Sequence, residues 1–246
     1  MKKIFLFLAI SSLAITSCRK DDDTSSSTDS VSIETQNSYD DASAEQFLKD
    51  NYFDAKGNIV AFDSSVTTDD NETPLAKLNP IKLPSGVIYI SRYVPTNGKS
   101  IAKTDKIRWM VKATTYVGIK ESDGTIKFGS TQLFRNTMTG TGTPEIDPAY
   151  FYVKKSVLDK YNESLTTPKT RTFFEIEGLQ EALEKFQSSE IPDSENYNLQ
   201  GVIIVPSRAA FARDDHYPYA TYSFRNRSFV FNFQVYKTET RTTAED

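Results

Sequence analysis

Few side chains in this sequence can act as nucleophiles, metal ligands or bases near neutral pH. The chain of 246 residues contains one histidine, His216, and one cysteine, Cys18. A zinc site draws its ligands mainly from these two residue types, and a Cys/His nucleophilic pair needs both at one place. A single cysteine also allows no disulfide within the chain. We therefore predict no metal, no cofactor and no catalytic pair of this kind.

Cys18 instead lies at the end of a segment that is typical of an export signal. Two lysines precede an apolar run from residue 4 to residue 15, which is too short to span a membrane but suits a signal peptide covering residues 1–17. Thr16 and Ser17 come directly before Cys18, and this junction resembles a bacterial lipobox. The resemblance implies cleavage before Cys18 and lipidation of its thiolate. The alternative is an ordinary secretory signal with an incidental cysteine.

Residues 18–40 are polar and predict a lipid-anchored, disordered tether, since they offer little apolar surface to bury. The acidic run at residues 21–23 resembles the surface-export signal of Bacteroidetes lipoproteins, and the alternative is a solvated spacer. Together these features predict an outer membrane lipoprotein, periplasmic or cell-surface exposed, that contacts the membrane through its anchor.

The net charge and the length of the chain limit its possible partners and its number of domains. The chain has 33 acidic and 29 basic side chains, a formal net charge of −4, so electrostatics gives no case for a nucleic-acid partner. The mature chain is long enough for one domain of ordinary size plus a tail. Because no disulfide is available, a hydrophobic core must hold that domain together.

The spacing of apolar residues along the chain predicts the helices and strands that would position a functional site. A short helix is predicted around residues 41–52, with Asp41 or Ser43 as N-cap, and residues up to 84 are interpreted as linker. Strands are predicted where apolar residues alternate or run together, at residues 87–90, 107–113, 202–205 and 229–235. One helix is predicted at residues 176–186 from its helical apolar spacing. The pattern predicts an α+β fold with a mostly antiparallel curled sheet packed on one short helix.

The order of these elements over residues 85–240 resembles the FKBP-type peptidyl-prolyl isomerase domain in a divergent lipoprotein form. Three motifs carry most of the resemblance: Ile176-Glu177-Gly178-Leu179, Val205-Pro206-Ser207-Arg208-Ala209-Ala210-Phe211-Ala212 and Phe229-Val230-Phe231-Asn232-Phe233-Gln234-Val235. Residues 131–172 have no counterpart that can be aligned. The resemblance implies prolyl isomerisation, in which a dry aromatic pocket favours the twisted amide without nucleophile or metal. It also implies the pocket residues, which are Tyr116, Ile176, Leu179, Phe211, His216 and Phe231.

Departures from the family pattern predict weakened catalysis. Leu179 stands where the family has a pocket-floor tryptophan, and Phe211 where it has a tyrosine hydroxyl. Gly129 replaces the pocket carboxylate. The alternative function is a non-enzymatic module that binds proline-containing or extended peptide segments of envelope proteins, and a third possibility is a structural lipoprotein of a surface complex. The tyrosines at 217, 219 and 222 fit either a binding rim or an exposed strand.

Overall fold

The computed structural model describes residues 31–139 and 142–246. The predicted signal peptide, Cys18 and the tether up to residue 30 lie outside this part. The described helices are α1 (Ile33–Asp50), α2 (Lys155–Asn162) and α3 (Glu177–Leu183). The described strands are β1 (Asn51–Phe53), β2 (Ile59–Ala61), β3 (Ile81–Lys82), β4 (Ile88–Ser91), β5 (Lys106–Lys120), β6 (Ile126–Asn136), β7 (Glu145–Ile146), β8 (Gly201–Val205) and β9 (Arg227–Glu239).

One antiparallel sheet organises the molecule. Its strand order is β3-β4-β8-β9-β5-β6, and β7 pairs with the start of β5. The long central strands β5 and β9 pair over most of their length, with Trp109 opposite Val235 and Ala113 opposite Phe231. The predicted α+β class and the predicted strands are confirmed.

The inner face of the sheet packs on α3. Alternate residues of β9 point the same way, so Phe229, Phe231 and Phe233 share a core with Leu179 and Leu183 of the helix. Gly178 permits the close approach, because a Cβ atom there would lie 2.7 Å from Val205 Cγ1. The predicted helix and its contact with Phe231 are confirmed.

The outer face of the sheet is also covered, which corrects the prediction of one packing helix. Apolar side chains of β4, β8 and β9 form a second core with Ala44 and Leu48 of α1. The β1–β2 hairpin lies beside it, and Asn232 Oδ1 of β9 accepts a hydrogen bond from the backbone N–H of Ile59 at 3.1 Å. A strand such as β8, in which every residue is buried, requires cover on both faces.

Two predicted boundaries are therefore wrong. The helix begins at Ile33 rather than near residue 41, since Ser32 is its N-cap and accepts a hydrogen bond from Thr35 N–H at 3.1 Å. The tether prediction for residues 33–40 fails because this stretch contributes two buried polar residues, Gln36 and Asp40, to the contact with the sheet. Residues 54–79 are not a free linker, because the hairpin and Leu75 pack into the second core.

Candidate functional site

The predicted prolyl pocket is closed in this structure. Ile176, Leu179 and Phe231, predicted as its floor and wall, each have 0% exposed area. All three belong to the continuous core between the sheet and α3. A prolyl ring is larger than a water molecule, so it cannot reach side chains that water does not touch unless the core rearranges.

Aromatic side chains occupy the interior that a ligand would need. Phe224 is fully buried and stacks on Phe211, with ring centroids 5.7 Å apart and planes inclined by 19°. The ring of Phe134 meets Phe224 edge-on at 5.4 Å, Phe229 at 5.2 Å and Tyr150 at 5.0 Å. These distances are typical of aromatic pairs in packed cores. The interior is therefore filled by side chains of the protein itself.

The filling side chains come from two separate segments of the chain. Phe134 and Tyr150 belong to residues 131–172, and Phe224 belongs to the segment before β9. The backbone of the first region is fixed to α3, because the N–H of Ile176 donates to the carbonyl of Tyr150 at 2.8 Å. Burial and the nearby Glu145 carboxylate raise the pKa of Tyr150 well above its usual range, and the Tyr150 hydroxyl donates to that carboxylate. Tyr150 is thus a neutral, satisfied core side chain.

Phe211 and His216 lie together at the edge of this core. Phe211 is 3% exposed, and the His216 ring lies 5.2 Å from it and 4.7 Å from Phe224. The backbone N–H of Phe224 donates to His216 Nε2 at 3.0 Å, which requires that nitrogen to be unprotonated. Burial lowers the pKa of His216, which favours this neutral form. His216 therefore holds Phe224 in place rather than facing a ligand.

Tyr116 is not part of this region, which corrects its prediction as a pocket residue. It lies on the outer face of the sheet, where its ring stacks on Phe128 at 5.0 Å and contacts Phe47 of α1 at 6.0 Å. The inner-face position beside it is Thr115, whose hydroxyl donates to the Tyr222 hydroxyl at 3.3 Å. Side chains of a strand alternate between faces, so neighbouring residues cannot share one.

Two adjoining cavities lie near Phe211, and we call them the α3 groove. One, of about 710 Å³, is lined by Pro84, Ser85, Lys103, Glu177, Gly178, Gln180, Glu181, Arg208 and Ala209. The other, of about 500 Å³, is lined by Thr167, Pro168, Lys169, Thr170, Thr172, Phe173, Glu177, Arg208, Ala210, Phe211, Ala212, Asp214 and Asp215. The cavities adjoin because Glu177 and Arg208 line both of them.

Arg208, at the centre of the α3 groove, is held by α1. Its guanidinium forms an ion pair with Asp41 at 2.7 Å and donates to the carbonyl of Ser85 at 3.1 Å. The preceding residue, Ser207, donates to Asp40 Oδ2 from its backbone N–H at 2.9 Å and from its hydroxyl at 2.5 Å. Gln36 donates to the other carboxylate oxygen at 2.9 Å. The N-terminal helix thus fixes the loop after β8 that forms one wall of the groove.

The groove carries charges of both signs and a few apolar side chains. Glu177 and Glu181 lie opposite Lys103 and Arg208, and Phe211 and Phe173 supply ring surface. Sequence reasoning singled out only Phe211 of these residues. Arg208 was within the quoted Val-Pro-Ser motif, but its role depends on Asp41, which is distant in sequence. The arrangement suits recognition of a polar, extended chain. Within the first cavity the Ser85 hydroxyl donates to the Glu181 carboxylate at 2.5 Å.

No family model and no curated protein matches this chain. Among solved structures, the chain is similar to FkpA from Escherichia coli, with a TM-score of 0.36 and 15% identity over 65% of this chain and 52% of that one. It is also similar to a peptidyl-prolyl cis-trans isomerase from Pseudomonas syringae pv. tomato, with a TM-score of 0.35 and 13% identity over 66% of this chain and 83% of that one. The chain thus spans about half the length of FkpA.

Two further findings concern residues 31–139 and 142–246 alone. No helix in this part is both long enough and apolar enough to cross a bilayer. This part also holds no group of three or more histidine, cysteine, aspartate or glutamate side chains placed to bind a metal ion.

Proposed function

We propose that this chain is an envelope lipoprotein whose isomerase-like fold binds extended peptide segments of other envelope proteins without catalysing prolyl isomerisation. The observation that carries this proposal is the filled interior: Phe224 and Tyr150 occupy the space above Ile176, Leu179 and Phe231, which have no exposed area. The resemblance to the FKBP-type family supplies the fold, and the packing removes the pocket on which the family's chemistry depends.

The energetic argument concerns the cost of opening the core. A prolyl ring enters a dry pocket only if Phe224 leaves its site, and removing a buried phenylalanine from a core costs about 3–5 kcal/mol. A binding-competent state that costs this much lowers apparent affinity, and with it catalytic efficiency, by about 10²- to 10³-fold or more. We therefore expect no isomerase activity above the uncatalysed rate.

The α3 groove supports peptide binding by its size and its polarity. Its cavities of about 710 and 500 Å³ form one surface across Arg208, large enough for several residues of an extended chain. Backbone groups of a peptide need polar partners on the protein, and Glu177, Arg208 and Lys169 provide acceptors and donors along the groove. Pro168 and Ala210 provide apolar surface for a prolyl or aliphatic side chain.

The lipid anchor is a separate part of the proposal and rests on the sequence. The apolar run followed by Thr16, Ser17 and Cys18 supports lipidation at Cys18 and retention in the outer membrane. Metabolic labelling with a fatty acid tests it. The wild-type protein should carry label and sediment with membranes, and Cys18→Ala should lose both properties. Membrane retention of the Cys18→Ala protein would contradict the anchor.

The binding function is tested with the Cys18→Ala protein in solution. Isomerisation of proline-containing peptides should proceed at the uncatalysed rate, and turnover at the level of active family members would refute the proposal. A peptide array with extended sequences should give binders. Ala210→Trp, which fills the α3 groove, should abolish their binding, whereas Ala55→Trp, in the hairpin on the other side of the sheet, should not. Equal binding by both variants would exclude the groove.

A further inference from the structure

A third cavity lies on the outer face of the sheet, away from the α3 groove. It has a volume of about 250 Å³ and lies between α1, the β1–β2 hairpin and strands β5 and β9. Its lining residues are Phe47, Asn51, Asn58, Ile59, Ala61, Lys112, Thr114, Tyr116, Val230 and Asn232. The volume is somewhat below the range of about 300–1,000 Å³ usual for drug-sized ligands, so it fits a molecule of about one ring with a short substituent.

One wall of this cavity is aromatic. Tyr116 stacks on Phe128 with the planes inclined by 22°, and Phe47 of α1 lies 6.0 Å from each of these rings. Burial raises the pKa of Tyr116, so its hydroxyl keeps its proton and remains a donor. Val230 and Ile59 extend the apolar surface. Aromatic walls of this kind favour a flat ring, which gains edge-to-face or offset contacts beyond the buried area.

The charge of the cavity is positive. Lys112 is the one charged residue of its lining, and none of the ten lining residues is acidic. Lys112 is exposed, and within the part of the chain that the structure describes its ammonium forms no ion pair and no side-chain hydrogen bond. The Asn232 amide is committed to the protein, because it accepts from Ile59 N–H and donates to the carbonyls of Gly57 and Gly201. The Lys112 ammonium is therefore free to pair with an anionic group of a ligand without displacing a protein partner.

We propose that this cavity binds a small aromatic carboxylate, with the ring against Tyr116, Phe47 and Val230 and the carboxylate at Lys112. The site is independent of the peptide function, since the α3 groove lies on the opposite face of the sheet. The Tyr116 and Thr114 hydroxyls lie in the same lining and can donate to a carboxylate oxygen. The hairpin forms the wall facing the sheet, so binding should tighten its contact with β9.

Titration with 3-phenylpropionate, followed by the methyl NMR signals of Val230 and Ile59, tests this proposal. We expect saturable shifts with a dissociation constant below ~1 mM, and binding weaker by about tenfold for the neutral amide of the same compound. Lys112→Met should weaken carboxylate binding by about tenfold and remove the preference over the amide, and Lys112→Arg should retain it. Lys120→Met changes an exposed lysine of the same strand outside the cavity and should have no effect.

Three results would overturn the proposal. They are the absence of saturable shifts at 5 mM ligand, equal affinity for carboxylate and amide, or an unchanged affinity in Lys112→Met. Ala61→Trp fills the cavity from the exposed hairpin and should abolish binding while the single tryptophan of the wild-type core, Trp109, keeps its buried environment. Binding that survives this substitution would place the ligand elsewhere.

Discussion

Asp40 provides the sharpest test of how the N-terminal helix is attached to the sheet. Its carboxylate has 0% exposed area and accepts three hydrogen bonds, one from Gln36 and two from Ser207. Burial raises the pKa of Asp40, whereas the hydrogen bonds from Ser207 and Gln36 lower it in part. The carboxylate is thus costly to desolvate and stable only because its partners are in place.

The expected effect of Asp40→Ala follows from these contacts. Hydrogen bonds to a charged group contribute about 1.5–3 kcal/mol each, so the three bonds represent about 5–9 kcal/mol before the desolvation cost is subtracted. Breaking a buried charged contact leaves about 3–5 kcal/mol of net destabilisation. Both Ser207 donors and one of the two N–H groups of the Gln36 amide lose their partner, while the other Gln36 N–H keeps its bond to the Gly118 carbonyl. Asp40→Asn keeps the volume and one acceptor oxygen, and we expect about 1–3 kcal/mol for it.

Urea unfolding, followed by Trp109 fluorescence, measures this effect. Trp109 is the single tryptophan, is fully buried and contacts Phe231 at 5.9 Å, so its emission reports the integrity of the core. With a slope of about 2–3 kcal/mol per M, Asp40→Ala should lower the urea midpoint by about 1–2 M. Asp50→Ala is the control, since Asp50 is exposed on the same helix and, among the described residues, only Gln46 donates to its carboxylate. A loss below ~1 kcal/mol for Asp40→Ala, equal to the control, would refute the attachment of α1 through this carboxylate.

Four further predictions use the same unfolding measurement. Phe224→Ala should cost about 3–5 kcal/mol, because it empties a fully buried ring site, and a loss below ~1.5 kcal/mol would show that the interior is not packed around it. Leu179→Trp adds a second tryptophan, so its urea unfolding is followed by far-UV circular dichroism instead. It should cost about 1–3 kcal/mol by overpacking and should not create isomerase activity, whereas a stabilised or active variant would reveal an open pocket. Gly118→Ala should cost about 1–3 kcal/mol, since its Cβ would lie 2.8 Å from the backbone N of Asp40, and a neutral effect would mean that α1 adjusts freely. Burial lowers the pKa of His216, so the unfolded chain binds more protons than the folded one. The contribution of neutral His216 to stability is therefore present above pH ~6.5 and is lost as the pH falls below that value. His216→Gln should remove this part of the pH dependence of the free energy of unfolding, and a slope between pH 7.5 and 5.5 that the substitution leaves unchanged would contradict the prediction.

The sequence predicted the inner half of this fold well because that half follows simple periodicities. Alternation in β9 placed Phe229, Phe231 and Phe233 on one face, and helical spacing placed Leu179 and Leu183 against them. The cover of the outer face was missed, although the uninterrupted apolar run of β8 already implied burial on both sides. The length of α1 was missed because its contact residues, Gln36 and Asp40, are polar and look like tether until their partners are known.

The error at Tyr116 could have been avoided by the same parity argument. Ile107, Trp109, Val111 and Ala113 were predicted on one face, and a residue at an even position in the same unbroken strand belongs to the other. The match to the family motif relied on the residue type of Tyr116 and did not consider which face of the strand the side chain occupies. The structure places Tyr116 against Phe47, where it lines the outer cavity instead of a prolyl pocket.

The side chains that fill the interior form one coupled arrangement. Residues 131–172 bring Phe134 and Tyr150 into the interior, and the segment before β9 adds Phe224. A core at normal packing density has no room for these rings together with a floor tryptophan, so the smaller Leu179 is the side chain that fits beneath them. Single substitutions toward the family pattern therefore cannot restore a pocket, because the volume that a prolyl ring needs is occupied by side chains from elsewhere in the chain. The two binding sites that we propose accordingly lie outside this core, the α3 groove on one side of the sheet and the cavity beside Lys112 on the other.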